Sequence, residues 1–236
     1  MTPTLYPIHP IPGLYISDRF SARSKALLAS HGITHILSVT RWEDGPLTLS
    51  SSEPQIEHRI IRKQVDLDDD PTEDILWRLN EMLDWIQNAL ASSPAVSTQS
   101  DTEAGLTTQT LVQGRVLVHC VQGISRSGAV IVAYLMRALC LPYTKALSLA
   151  RESRPLINPN IGFEYQLRIW EGCGFEAYFW DRERDSGRRV LRLKPSYQSF
   201  KDEIAAIFEQ TQYRQFLIAS EEWMRSLQAR LEILRG

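Results

Sequence analysis

The chain has 236 residues, of which 43% are hydrophobic and 23% are charged, and its formal net charge at pH 7 is −2. This balance is typical of a globular protein with a substantial core, and no apolar run approaches the length of a membrane-spanning helix. Both signs of charge are interspersed and the first residues carry no secretory signal, so we expect no nucleic-acid partner, no membrane partner, and residence in the cytoplasm, the nucleus or both. The three cysteines are too few and too scattered for a disulfide scaffold or a paired zinc site, so we expect no metal.

The N-terminal part of the sequence predicts strands that alternate with a helix. Leu14–Ser17 is short and extended, residues 20–30 have a helical pattern, and residues 33–40 are rich in β-branched side chains. A further strand is predicted over residues 56–65, and an acidic cluster followed by a proline ends it.

After that cluster the sequence predicts an amphipathic helix and then a loop. Thr72 is the predicted helix cap, and apolar residues then recur at helical spacing: Ile75, Leu79, Leu83 and Ile86. Residues 91–114 are dominated by Ser, Thr, Gln, Ala and Gly, with no aromatic residue that could stabilise an ordered packing. We therefore expect a flexible insertion loop over residues 91–114.

The middle of the chain carries the densest pattern: an apolar strand that leads into His119, a glycine-containing turn, and an apolar run over residues 126–140. The run is too long for one strand and Pro142 follows it, so it predicts a buried helix. Two further helices are predicted, over residues 143–152 and 158–170. Alternating strands and helices indicate an α/β fold in which helices pack around a central sheet.

Beyond residue 175 the pattern changes to an arginine-containing linker over residues 182–194 and two appended helices. The apolar positions of those helices are Ile204, Ile207, Phe208, Phe216, Trp223, Leu227, Leu231 and Leu234. Such stripes usually pack on the domain that carries them, which is the interpretation we favour, although the second helix could instead bind a protein partner.

The turn between the central strand and the long helix has the composition of an anion cradle. Cys120 stands at the end of the predicted strand, and Val121, Gln122, Gly123, Ile124 and Ser125 separate it from Arg126. A turn of this kind can curl so that successive backbone N–H groups point inward, while the helix adds free N–H groups and the positive end of its dipole. A phosphate dianion fits such a cradle, and the same field favours the thiolate of Cys120, which makes that sulfur a nucleophile.

The residues that flank this turn suit phosphoryl transfer. Arg126 offers a planar fork of donors that can hold two phosphate oxygens and stabilise the transition state. Ser127 can donate a hydrogen bond to the sulfur, and His119 is expected to order the backbone of the turn. Taken singly, each would be read as a small core residue, a helix cap or a surface charge, but the combined pattern argues against that interpretation.

The segments HCVQGISRS, AYLM, NPNIGFEYQL and GLYISD together resemble the dual-specificity branch of the protein tyrosine phosphatase superfamily, over approximately residues 10–175. The resemblance implies a cysteine-phosphatase fold, with a central mixed sheet flanked by helices, over residues 1–175 and a helical C-terminal extension over residues 176–236. It implies hydrolysis of phosphotyrosine and phosphoserine or phosphothreonine in a phosphorylated protein substrate, through a cysteinyl-phosphate intermediate and without a cofactor. It also implies a supporting role for Asn160.

The same resemblance indicates a general acid, because a leaving group departs poorly from phosphorus without a proton. In the family an aspartate stands ahead of an amphipathic helix. Matching Trp85 and Ile86 to the family's aromatic–isoleucine pair, and Asp74 to its helix start, puts the acid at Asp69. A small shift of register would select one of three neighbours: Asp66, Asp68 and Asp70. The other interpretation of these carboxylates is a solvated acidic turn that caps the next helix.

The substrate class is indicated by the turn between Cys120 and Arg126, which contains no lysine. Relatives that act on inositol phospholipids or RNA triphosphates are expected to carry basic residues, so protein substrates are favoured. Two alternatives stay open: a phosphatase for a non-protein phosphoester, and a module that binds phosphorylated residues without turnover. The layout is most similar to the family subgroup that has a C-terminal zinc domain, and the cysteine cluster of that domain is absent from this sequence.

Overall fold

The computed structural model describes residues 2–41, 60–92, 114–183, 188–209 and 213–235. Within these residues the strands are β1 (Tyr6–Pro7), β2 (Leu14–Ser17), β3 (His35–Val39), β4 (Ile61–Val65), β5 (Val116–His119), β6 (Tyr178–Arg182) and β7 (Arg189–Leu193). The α-helices are α1 (Lys25–Ser30), α2 (Ile75–Ala91), α3 (Arg126–Leu139), α4 (Tyr143–Ser153), α5 (Ile161–Gly172), α6 (Pro195–Glu209) and α7 (Tyr213–Arg235). In the described ranges no single helix is long and apolar enough to cross a membrane. Helices α3 and α4 taken together reach that length and apolar composition, but their axes are bent by 118° at the break between them.

The first five strands form one mixed sheet in the order β1-β2-β5-β3-β4. β1 is antiparallel to β2, and the other neighbouring pairs are parallel. β5 lies at the centre, where His119 pairs with Ser17 on one side and with Ser38 on the other. The carboxyl ends of three parallel strands therefore meet where β5 gives way to Cys120, which is where open α/β sheets form binding crevices.

Side chains are buried on both faces of this sheet. In β3, Leu37 and Val39 belong to the larger core while Ile36 belongs to the smaller one, as the period of two along a strand requires. The larger core contains the inward side chains of α2, α3, α4 and α5, and the smaller one contains Leu28 of α1. Burial on both faces explains why the parallel strands are almost continuously apolar, and the predicted α/β class is confirmed.

The predicted helix over residues 20–30 is wrong at its start. The chain makes a 3₁₀ turn at Ser21–Arg23, becomes extended at Ser24, and enters α1 only after that residue. Two short polar side chains produce the break: an oxygen of Asp18 accepts the N–H of the turn's first residue, and Ser24 Oγ accepts the N–H of Leu27. Each side chain accepts an N–H that would otherwise be unpaired at the start of a helix. The segment therefore forms a 3₁₀ turn and then a separate helix, instead of one continuous helix.

The helix cap predicted at Thr72 is also wrong, because Asp74 caps α2. Its carboxylate accepts the N–H of Trp77 at 3.2 Å. Thr72 instead donates its N–H and its hydroxyl to Asp70 Oδ1, at 2.7 and 2.6 Å. Thr72 therefore closes the turn that precedes the helix.

The predicted linker over residues 182–194 is instead part of a β-hairpin. β6 and β7 pair in antiparallel fashion, with Tyr178 opposite Leu193 and Trp180 opposite Leu191. In β7 the apolar residues are interleaved with arginines. Because of these charged residues, the segment was interpreted as a linker and not as a strand.

The two C-terminal helices pack on the rest of the chain, which is the interpretation that the sequence favoured. Four of their side chains belong to the larger core: Tyr197, Phe200, Trp223 and Leu227. Arg230 of α7 also joins α5 to α6, since its Nη1 donates to Tyr165 Oη at 3.0 Å and to Glu203 Oε2 at 2.9 Å. In this structure Trp223, Leu227 and Leu231 of α7 are therefore buried against the chain itself, whereas Leu234 is exposed.

The other predicted helices are confirmed with small changes of boundary. α3 ends at Leu139, where Cys140 adopts a left-handed conformation (φ 51°), and α5 begins after its N-cap Asn160. Residues 56–59 of a predicted strand, residues 93–113 of the predicted insertion loop, and the side chains of Ile207, Phe208 and Phe216 lie outside the described residues.

Candidate active site

β5 delivers Cys120 to the carboxyl edge of the parallel strands, where the residue is 2% exposed. Two donors converge on its sulfur: the backbone N–H of Gly123 and the hydroxyl of Ser127, each 3.2 Å from Sγ. Ser127 is itself fully buried in the first turn of α3. Donors that converge in this way can stabilise negative charge on a sulfur during phosphoryl transfer.

The backbone of the turn after Cys120 is oriented by donors that surround it. The carbonyl oxygens of Val121 and Ile124 accept the backbone N–H groups of Arg19 and Asn158, each at 3.1 Å. Between them, the Arg154 guanidinium donates to the carbonyl oxygen of Gln122 at 3.0 Å and to that of Gly123 at 2.9 Å. In a trans peptide the C=O and the following N–H point in opposite directions, so the amides of residues 122–125 face the inside of the turn. Inward-facing amides of this kind bind anions.

Gly123 is required by the shape of this turn. Its φ of +69° lies in the left-handed region, and a Cβ built on it would lie 2.4 Å from the carbonyl oxygen of Ser17. The end of β2 thus packs directly against the turn, and only a residue without a side chain allows both the conformation and the approach.

Arg126 begins α3 and lies beside the turn with 6% of its surface exposed. Its Nη1 donates to the carbonyl oxygen of Leu67 at 3.1 Å, and its Nε lies 3.9 Å from Asp69 Oδ2. Among the described residues this buried Nε has no hydrogen-bond partner. A buried donor without a partner costs free energy, and an oxyanion bound in the turn would supply the missing acceptor.

His119 joins the nucleophile to the neighbouring strand. Its Nδ1 donates to the carbonyl oxygen of Cys120 at 3.1 Å, and its Nε2 accepts from the hydroxyl of Ser38 at 2.8 Å. Burial disfavours the imidazolium and lowers the pKa of His119 from 6.5 to about 4. The ring is therefore neutral at physiological pH, and its two hydrogen bonds join the backbone at Cys120 to the side chain of Ser38.

Asp69 is brought to the rim of the cradle by two other segments. Ser125 Oγ and Asn160 Nδ2 both donate to Asp69 Oδ1, at 2.5 and 3.0 Å, and Asn160 N donates to Ser125 Oγ at 3.0 Å. The Asp69 side chain is 37% exposed, so it can reach a substrate that enters from solvent. Asn160 thus serves two purposes, since its side-chain oxygen Oδ1 caps α5 by accepting the N–H of Phe163.

The neighbouring carboxylates make other contacts. Asp68 pairs with Arg41 at 3.2 Å, and Asp70 accepts the hydrogen bonds of Thr72 that close the turn. Glu73 is partly buried behind them, and its pKa is raised first by burial and then by the charges of the surrounding aspartates. These contacts support Asp69 over Asp68 and Asp70 as the candidate acid.

Arg154 is the site residue that the sequence analysis missed. It is 5% exposed, its guanidinium bonds two carbonyl oxygens of the turn from behind, and it lies 4.4 Å from the ring centroid of Tyr6. An arginine at the end of a helix is usually interpreted as an exposed charged residue. No local sequence pattern indicates that it contacts a turn about thirty residues earlier. Elsewhere in the described residues, no group of three or more His, Cys, Asp or Glu side chains could hold a metal ion.

Comparison with known proteins agrees with this geometry. The family model of the dual specificity phosphatase catalytic domain matches residues 103–173. Dual specificity protein phosphatase MPK-4 of Drosophila melanogaster is 31% identical over 194 residues, which are 80% of this chain and 43% of that protein. The serine/threonine/tyrosine-interacting protein of Mus musculus is 29% identical over 163 residues, 68% of this chain and 62% of the relative. This chain thus spans less than two thirds of the length of these relatives.

Solved structures with the same fold include a fungal and a human phosphatase-like domain. The Yvh1 phosphatase domain from Chaetomium thermophilum has a TM-score of 0.56 and 29% identity, covering 74% of this chain and 99% of the other. The human tyrosine phosphatase-like serine/threonine/tyrosine-interacting protein has a TM-score of 0.54 and 28% identity, covering 73% and 98%.

The mixed sheet with its amide-lined turn, together with these matches, defines a domain of the protein tyrosine phosphatase superfamily. Within that superfamily these matches support an atypical dual-specificity phosphatase.

Proposed function

We propose that this chain is a protein phosphatase that hydrolyses phosphotyrosine and phosphoserine or phosphothreonine through a cysteinyl-phosphate intermediate. The observation that carries the proposal is the convergence of the Gly123 N–H and the Ser127 hydroxyl on Cys120 Sγ, beside the buried guanidinium of Arg126. A cysteine that served only as a small core residue would need neither donor.

In the first step, the Cys120 thiolate attacks the phosphorus of the bound phosphomonoester. An S–P bond forms as the P–O bond to the leaving group breaks, and Asp69 donates its proton to the departing oxygen. The amides of the turn and the guanidinium of Arg126 stabilise the negative charge on the equatorial oxygens.

In the second step, water attacks the phosphorus of the cysteinyl phosphate. Asp69, now a carboxylate, accepts a proton from that water, and the S–P bond breaks to release inorganic phosphate. The sulfur leaves as a thiolate, which the Ser127 hydroxyl and the Gly123 N–H stabilise. The enzyme returns to its starting protonation state.

The small number of cationic side chains at the cradle supports a phosphorylated protein residue, which carries a single phosphate, as the substrate. The loop between Cys120 and Arg126 carries no basic side chain, and Arg154 is engaged with loop carbonyls on the side away from the sulfur. A polyphosphate or an inositol phosphate carries further negative charge that would call for additional free cations. A single phosphate is matched by the amides and one guanidinium.

Phosphate release from 4-nitrophenyl phosphate tests the proposal. We expect the wild-type chain to turn over and Cys120→Ser to be inactive while it still binds a phosphopeptide. Cys140→Ser is the matched control, because Cys140 is exposed at the end of α3 and should keep wild-type activity. If the wild-type chain binds phosphopeptides as tightly as Cys120→Ser but releases no phosphate, it is a phospho-residue binding module.

The general acid is tested by comparing substrates with good and poor leaving groups. Asp69→Asn should reduce kcat on phenyl phosphate by about a hundredfold or more and should flatten the basic limb of its pH profile. The matched controls are Asp68→Asn and Asp70→Asn, which remove neighbouring carboxylates. If either control shows this effect while Asp69→Asn does not, Asp69 is not the acid.

A further inference from the structure

The loop that carries Asp69 is attached to the C-terminal helix α6 by a small polar cluster. We call residues 66–74, between β4 and α2, the acid loop. At its end, the Tyr197 hydroxyl lies 2.6 and 2.7 Å from the two carboxylate oxygens of Asp74, and Lys201 Nζ donates to Asp74 Oδ2 at 2.9 Å. Tyr197 is fully buried in the larger core.

These contacts exceed what capping of α2 requires. Asp74 performs that role with one oxygen, which accepts the N–H of Trp77. Tyr197 and Lys201 provide additional donors on the same carboxylate. Burial raises the pKa of Tyr197, and the Asp74 carboxylate raises it further, so the phenol remains a proton donor to Asp74 across the physiological range.

The segment between Asp69 and Asp74 is stiff enough to transmit this attachment. Within it, Glu73 N donates to the carbonyl oxygen of Asp70 at 3.1 Å, in addition to the bonds from Thr72 to the Asp70 side chain. On its far side, the buried amide of Gln166 in α5 donates to Glu73 O at 2.7 Å and accepts the N–H that follows Asp74 at 3.0 Å. The segment from Asp69 to Asp74 is thus a closed turn with tertiary contacts at both of its ends.

We infer that Tyr197 and Lys201 are positioning residues for catalysis: by fixing Asp74, they hold the acid loop so that Asp69 lies against Ser125 and Asn160 at the rim of the cradle. The inference rests on the proposed function for its catalytic consequence. Both residues lie beyond residue 173, where the match to the family model ends. On this inference, α6 of the C-terminal extension positions the candidate acid through Asp74.

The test uses the full chain with two substrates that differ in leaving group. Only the poor leaving group of phenyl phosphate depends strongly on a proton from Asp69, whereas 4-nitrophenolate departs with little help. For Tyr197→Phe and Lys201→Met we expect kcat on phenyl phosphate to fall about tenfold, while kcat on 4-nitrophenyl phosphate changes by less than about twofold. Lys201→Arg, which keeps the cation, should restore most of the loss.

Tyr165→Phe is the matched control, because it also removes a tyrosine hydroxyl that contacts a C-terminal helix, through Arg230, but away from the acid loop. It should leave the ratio of the two kcat values unchanged. An unchanged ratio in both Tyr197→Phe and Lys201→Met, or an equal fall on both substrates, would overturn the inference, since α6 would then support folding only.

A second measurement does not depend on turnover. Amide hydrogen exchange should become faster in residues 68–75 of Tyr197→Phe, while residues 120–126 keep their wild-type protection. If the wild-type chain hydrolyses neither substrate, the proposed function fails, and this exchange experiment still decides whether α6 holds the acid loop. Unchanged exchange in both segments would show that it does not.

Discussion

Replacing Gly162 by alanine should displace the acid loop without unfolding α5. Gly162 lies in the first turn of that helix, and a Cβ built on it would lie 1.9 Å from the carbonyl oxygen of Pro71. A helical backbone accepts alanine, which is a better helix former than glycine by about 1 kcal/mol, so the helix itself should not be weakened.

The size of the effect follows from that distance. Real Cβ atoms essentially never come closer than 3.0 Å to such an atom, so Pro71 must move by about 1 Å. Pro71 is two residues from Asp69, and a misplacement of about 1 Å at a reacting group costs on the order of a hundredfold in rate. We expect kcat on phenyl phosphate to fall by about that factor, with a much smaller change on 4-nitrophenyl phosphate.

The assay is steady-state kinetics on both substrates, with thermal unfolding to verify the fold. Gly172→Ala is the matched control, because Gly172 is the last residue of the same helix and a Cβ there would meet nothing within 4 Å. It should keep the wild-type rates.

Two results would refute this reasoning. A folded Gly162→Ala variant with the wild-type ratio of rates would mean that the acid loop does not depend on its contact with α5. An equal loss on both substrates would place the damage in the cradle, and the proposed separation between the acid loop and the nucleophile turn would be wrong.

Three further predictions follow from the cradle. Ser127→Ala removes one of the donors to Cys120 Sγ, and a hydrogen bond to a charged group contributes about 1.5–3 kcal/mol. Release of the thiolate from the cysteinyl phosphate should therefore slow. Stopped-flow traces should then show a burst of 4-nitrophenol equal to the enzyme concentration. Arg126→Lys keeps the charge but loses the planar fork, so kcat should fall by at least about a hundredfold in steady-state assays, and near-wild-type activity would contradict that role. Because the folded-state pKa of His119 is lowered to about 4, the unfolded state binds the proton first as the pH falls below 6.5. Stability should therefore be lost between pH 6.5 and 4, by about 3 kcal/mol, and urea unfolding of His119→Gln should lose correspondingly less.

The elements of the fold that the sequence predicted well are those whose signals are local. The strand before Cys120 and the helix after it carry apolar patterns with recognisable ends, and both form as predicted. The helix from Ile75 also forms, although its N-cap is Asp74 rather than Thr72. The β-hairpin of β6 and β7 was missed because arginines between its apolar residues resemble those of a solvated linker.

The residues of the candidate site also divide into those with a local sequence signal and those without one. Residues 119–127 are contiguous, so their pattern alone indicates an anion cradle. The contacts of Arg154 with the turn, and those of Tyr197 and Lys201 with Asp74, join segments that are far apart in sequence. Such pairs leave no periodicity or motif, and only the tertiary fold reveals them.

The attachment of the acid loop to α6 has a consequence for how this protein should fail on heating. The anion cradle is held by contacts from β2 and from Arg154 that do not involve the C-terminal helices, whereas the acid loop also depends on α6. Partial detachment of the C-terminal helices needs less free energy than global unfolding. Warming should therefore first produce a form that still binds phosphorylated partners but hydrolyses esters with poor leaving groups more slowly.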